Sequence, residues 1–275
     1  SHQWVVVVHN SGFRHPLEEV DGIIDRWFER AGTLPLSLNW FGGAGNNWSE
    51  QINIIVRRYA PRLQFLDLHI NAHCITRLID GVTFPRLQKL YLENLDDGFL
   101  PTGTSPMLMF SNAPRLRQVV LSNIPPSFLV LPWESLESFT MGDLPGASLD
   151  VLRMSPLLRK LSVQNPSGNT VIHDGSIVLH ARLNSPSLWN TTDEILQYFA
   201  FPTLEDLQLA NISFLNNNNF LSFLSRTRGS LRYFTISHRL EPLILSVEWF
   251  GYMRHLTDLY LPHLEQRSWV DFVSA

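Results

Sequence analysis

The stretch FPRLQKLYLENL, residues 84–95, decides the fold. It recurs in altered form as APRLQFLDLHI at 60–70 and as APRLRQVVLSNI at 113–124. Each copy sets Pro-Arg-Leu ahead of apolar residues that alternate with polar ones. That alternation is the period of a strand with one buried face. Leu87, Leu90 and Leu92 stand at the spacing L-x-x-L-x-L, and Leu63, Leu66 and Leu68 repeat it. So do Leu116, Val119, Leu121; Leu136, Phe139, Met141; and Leu158, Leu161, Val163. Further on come Leu204, Leu207, Leu209; Leu231, Phe234, Ile236; and Leu256, Leu259, Leu261. Val178, Ala181 and Leu183 fill the gap between 158 and 204 as a weaker unit.

The units start every 20 to 29 residues, the period of leucine-rich repeats. Five of them have a proline two places before the first Leu: Pro61, Pro85, Pro114, Pro156 and Pro202. Proline ends the preceding segment and opens a strand without withholding a ladder bond. Asn94, Asn123, Asn165 and Asn211 each stand two places past a unit's last apolar residue. Residues two apart share a strand face, so these asparagines are expected to point inward and bond the backbone of neighbouring turns.

Between strands, 17–32 and 49–60 carry apolar stripes at helical spacing, with Ser49 as a possible cap. The stretches 191–201 and 219–229 read the same way, whereas 125–132 and 165–176 read as turns. WVVVV at 4–8 and LPLSLNW at 34–40 add two strands, for about eleven. The fold class expected is α/β: a leucine-rich-repeat solenoid, a curved horseshoe with its parallel sheet on the concave face and helices and turns on the convex face. Residues 1–275 are expected to form a single domain. The bare apolar strand at 4–8 and the start at Ser1 suggest truncation at the N-terminus.

Composition narrows the function classes. Charged residues make up 17% of the chain and the net charge is -4, so no basic footprint points to nucleic acid or an anionic membrane. No apolar run is long enough to span a bilayer. Cys74 is the single cysteine, which rules out an internal disulfide. The Gly cluster in NWFGGAGNNWSEQ (39–51) has Trp48 where a dinucleotide loop needs its third Gly. His69, His73 and Cys74 lie where a strand gives way to a loop, without metal-site spacing. No residue pattern selects a catalytic group, a cofactor or a metal, so the chain is not expected to be an enzyme.

The expected binding residues are the alternate side chains of each strand, those facing the inner curve. They are Asp67, His69, Lys89, Tyr91, Glu93, Gln118, Lys160, Gln164, Arg182, Asp206, Gln208, Tyr233, Asp258 and Tyr260. A face of mixed charge with tyrosines at both flanks suits a protein target.

WFERAGTLPLSLNW (27–40), the Pro-Arg-Leu units and LPWESLESFTM (131–141) together resemble the leucine-rich-repeat region of F-box proteins, above all those of mushroom-forming fungi. The resemblance runs from about 20 to 265. It implies the substrate-recognition part of an SCF-type ubiquitin ligase receptor, cytoplasmic or nuclear, with a protein target on the concave face. No F-box is legible. PLEEVDGIIDRWF (16–28) echoes its opening, but a single helix precedes the strand at 34, where the family has several. A Skp1-type adaptor is therefore expected only if an F-box lies upstream. The alternative is a leucine-rich-repeat scaffold or binding protein unrelated to ubiquitin.

Overall fold

The computed structural model describes residues 4–9, 17–42, 48–78, 81–96, 106–142, 147–164, 177–190, 193–211, 215–227, 230–237 and 247–261. The chain is an α/β protein, and among these residues thirteen strands lie in parallel ladders, two of them as a separate pair. It divides into two compact units, Ser1–Gly142 and Asp143–Ala275. No helix among the described residues is long and apolar enough to cross a membrane.

The first unit has six strands: β1 (Trp4–His9), β2 (Leu36–Phe41), β3 (Leu63–Ile70), β4 (Lys89–Asn94), β5 (Gln118–Ser122) and β6 (Ser138–Gly142). Each pairs in parallel with the next. One register row joins Leu38, Leu66, Leu90, Val119 and Phe139, and a second joins Trp40, Leu68, Leu92, Leu121 and Met141. All ten side chains are buried. The repeat thus stacks like on like, and no unit could bury its apolar face alone. Helices α1 (Leu17–Arg30) and α2 (Trp48–Tyr59) cover this core with Ile24, Phe28, Ile52, Ile55 and Val56. On α1, Ile23 and Trp27 stay about half exposed. The Trp27 ring lies 5.8 Å from that of Trp4 and beneath the Arg30 guanidinium. Ser49 lies inside α2, not ahead of it, so it does not occupy the cap position. His73 and Cys74 sit on a one-turn helix, α3 (Ala72–Ile75), capped by the Asn71 side chain.

The recurrent proline has a more specific role than opening a strand. The Leu two places after it donates its N–H to the carbonyl just before it: Leu63 to Ala60 (3.3 Å), Leu87 to Phe84 (3.3 Å) and Leu116 to Ala113 (3.0 Å). Leu158 to Ser155 (3.1 Å) and Leu204 to Phe201 (3.1 Å) repeat the bond in the second unit. Each is a β-turn with Pro at its second position, where the ring's fixed φ fits. The turn delivers the first Leu of the unit into the core. The next carbonyl then accepts two N–H groups of the following unit. Gln88 takes Arg117 and Gln118, and Glu205 takes Arg232 and Tyr233.

Asparagine closes the strands. Asn94 points inward and is fully buried, as expected. Asn123 and Asn211 are only half-buried, and both have φ of 56°, in the left-handed region. Asparagine tolerates that conformation better than other residues with a side chain. The Asn123 amide donates to the Asn94 carbonyl of the preceding unit (3.1 Å). Asn165 lies outside the described residues. Asn123→Val is expected to cost about 2 kcal/mol, from backbone strain and the lost bond. Asn123→Gly should cost about half as much, and urea denaturation of both variants checks the order.

The second unit has β7 (Lys160–Gln164), β9 (Ser185–Trp189), β11 (Asp206–Ala210), β12 (Tyr233–Ser237) and β13 (Asp258–Tyr260) in one parallel ladder. A separate parallel pair joins β8 (Val178–Leu179) to β10 (Phe199–Ala200). The weak repeat is therefore misplaced by five residues. Its core positions are Leu183, Pro186 and Leu188, all buried, while Ala181 is exposed. Helix α5 (Asn217–Arg226) starts two residues earlier than expected because the Asn216 side chain accepts from the Asn218 and Asn219 N–H groups. The expected helix at 191–201 is instead a 3-10 segment, Asp193–Tyr198, running into β10. The Arg226 guanidinium caps its end, donating to the carbonyls of Leu196 (2.9 Å), Gln197 (3.1 Å) and Phe199 (3.0 Å). Helices α4 (Ala147–Met154) and α6 (Val247–Tyr252) have no counterpart in the sequence reading.

Candidate functional site

Strand alternation gives every ladder a second face, opposite the core. In the first unit it carries Asp67, His69, Lys89, Tyr91, Glu93 and Gln118, all on the expected side. In the second it carries Lys160, Gln164, Asp206, Gln208, Tyr233, Asp258 and Tyr260. Arg182 is not on it. It precedes β9 in a bend, and its N–H donates to His180 Nδ1 (3.4 Å). The residues that β9 presents are Ser185, Ser187 and Trp189.

Four of the expected residues in the first unit come together around His69. The imidazole stacks between Phe41 (centroids 4.2 Å apart) and Tyr91 (4.7 Å). Its Nε2 lies 2.9 Å from Asp67 Oδ1, and its Nδ1 meets Glu93 Oε2. Tyr91 donates its hydroxyl to Glu93 Oε2 (3.3 Å), and Ser122 donates to Glu93 Oε1 (3.5 Å). The register produces this grouping, since Phe41, His69, Glu93 and Ser122 share one row across β2 to β5. Both ring nitrogens of His69 thus lie against carboxylates.

Asp67 is almost wholly buried, not solvent-facing as its strand phase alone suggests. Burial pushes its carboxyl above the ordinary value; the charge of His69 and its hydrogen bond pull it back, and Glu93 pushes it further up. Burial, with the charge of Glu93, lifts the Tyr91 phenol to about 12 from 10.0. In the same unit, burial and Asp25 lift Tyr59 to about 12. An unfolded chain releases these protons near pH 10, while the folded chain holds them to about 12. The phenols' contribution to stability is therefore complete below pH 10 and is lost as pH rises toward 12. Between those limits the unfolding free energy read from urea denaturation is expected to fall, by on the order of 1–2 kcal/mol per phenol, and Tyr91→Phe should flatten the slope.

The second unit groups a different set. Trp189 Nε1 donates to Ser187 Oγ (2.6 Å), and Ser187 donates to Gln208 Oε1 (3.4 Å). Gln208 Nε2 (3.3 Å) and Ser185 Oγ (3.0 Å) both donate to Asp206 Oδ2. Trp189, Ser185 and Ser187 escaped the sequence reading because Pro186 occupies the place of the unit's second Leu. Asn190, two places past Leu188 and also at positive φ, repeats the strand-closing signal and marks the true register. Among the described residues no three His, Cys, Asp or Glu side chains are placed to hold a metal ion. Compared with known proteins, the chain matches no family model, no curated protein and no solved structure.

Proposed function

We propose that this chain is a leucine-rich-repeat protein that binds a protein partner on the open face of its strands. In this reading it is the target-recognition part of an SCF-type ubiquitin ligase receptor. The binding proposal rests on the contrast between the two faces. Leu207, Leu209, Phe234 and Ile236 are at most 2% exposed, whereas Trp189 is 43%, Tyr233 50% and Tyr260 63% exposed on the other side of the same ladder. Large aromatics among polar groups are what protein interfaces concentrate. The L-x-x-L-x-L spacing, the repeat length and the parallel pairing support the leucine-rich-repeat assignment, and that architecture uses its strand face as a concave binding surface. The ligase assignment rests on the resemblance carried by GTLPLSL (32–38) and LPWESLESFTM (131–141).

Affinity capture with the gene's full product, read by mass spectrometry, tests both parts. At least one captured protein is expected to fall about tenfold or more with Trp189→Ala/Tyr233→Ala, at unchanged melting temperature. An adaptor and a cullin in the same capture support the ligase part. If no captured protein depends on these two residues, the binding reading falls. If one does and neither adaptor nor cullin accompanies it, the ligase part falls alone.

A further inference from the structure

The second unit's open face is specific about the chemistry it would meet. Asp206, Tyr233 and Asp258 occupy one register row on adjacent strands, so the Tyr233 ring has a carboxylate on either side. Each carboxylate is held in place by a neighbour. Ser185 and Gln208 bond Asp206 Oδ2, and Thr257 donates to Asp258 Oδ2 (2.8 Å), which leaves Oδ1 of each open. Neither is ion-paired among the described residues. Trp189 stands on the same face, its indole N–H already bonded to Ser187, so the ring is oriented before any partner arrives. Oriented groups lose less entropy on binding.

Resting on the reading that this face binds protein, we propose that it receives an arginine side chain of the partner. The guanidinium lies on the Tyr233 ring and pairs with Asp206 or Asp258, while Trp189 and Tyr260 pack against the flanking residues. Two unpaired carboxylates bracketing an exposed tyrosine call for a cation. Arginine fits better than lysine, because a planar guanidinium can stack on a ring and fork onto a carboxylate at once.

The test uses an acetylated five-residue peptide with a central arginine, titrated into the intact protein and followed by NMR. The comparison peptide carries citrulline, which has the same shape without the charge. Saturable shifts at Tyr233 and the Trp189 indole are expected with arginine, weakened about fivefold or more by citrulline and by Asp206→Asn/Asp258→Asn. An equal response to both peptides, or no saturable shift, overturns the proposal. The same Asp→Asn pair in the capture experiment separates this inference from the reading beneath it. Loss of the captured protein with both this pair and Trp189→Ala/Tyr233→Ala supports the guanidinium site. Loss with the aromatic variant alone overturns the guanidinium and leaves the binding face. Loss with neither overturns both.

Discussion

Leu90→Asp is expected to abolish folding of the first unit. Leu90 is 1% exposed and sits in the register row between Leu66 and Val119, themselves fully buried. Truncating a leucine at such a site costs about 2–5 kcal/mol in lost burial and residual cavity. A carboxylate there adds the cost of leaving water, and the row offers it only apolar side chains. The total exceeds about 5 kcal/mol, a large part of the 5–15 kcal/mol that holds a typical domain together. Lys89→Asp is the matched control, because Lys89 is exposed one residue earlier on the same strand. It should change stability by no more than about 0.5 kcal/mol. Circular dichroism and urea denaturation distinguish the two. A Leu90→Asp protein with a cooperative, wild-type-like transition would reverse the face assignment of β4, and with it the phase of every paired strand.

The first unit was legible because three independent signals agree there. The alternation of apolar residues and the Pro-bearing turn give the same register for β3, β4 and β5, and the closing asparagine joins them at β4 and β5. In the second unit two of them fail at β9, where Ala181 stands in place of the turn's proline and the apolar alternation is broken. Pro186 takes a core position that the pattern reserves for Leu, so a search on Leu spacing slides back to Val178. Only that slipped register puts Arg182 on the face. The His69 cluster was only partly readable. Strand phase put Asp67, His69, Tyr91 and Glu93 on one side, but Phe41 and Ser122 join them through register, which no single strand encodes. Burial of Asp67 follows from its neighbours' bulk and is likewise invisible in the alternation. Helices α4 and α6 span barely two turns, too short for a 3.6-residue period to stand out. At 193–198 the sequence spaces its apolar residues as an α-helix would, but over so short a run the 3-10 helix that forms there shares the pattern.

Phe220→Ala is expected to cost the second unit about 3–5 kcal/mol. Phe220 is fully buried on α5, and its ring lies 4.7 Å from Trp249 on α6, edge-on, and 5.6 Å from Phe234 on β12, stacked. A third ring, Phe223, lies 6.2 Å away. One side chain therefore ties two helices to the strand ladder. Its removal forfeits the burial of a whole aromatic ring and the geometry of its pairs, each worth about 0.5–1.5 kcal/mol beyond area. Trp249 also donates its indole N–H to Asn217 Oδ1 at the start of α5 (2.6 Å), so it cannot swing into the void without breaking that bond. Collapse of the cavity is blocked on that side, which places the cost toward the upper end of the range. Phe220→Leu keeps most of the volume and should cost roughly 1–2 kcal/mol. Urea denaturation followed by near-ultraviolet circular dichroism reads both the stability and the loss of ring order. A cost below about 1 kcal/mol for the alanine variant would mean that α5 is held by its Asn216 cap and Arg226 bonds, not by the aromatic cluster. The open face that β12 presents through Tyr233 would then owe its rigidity to the ladder alone.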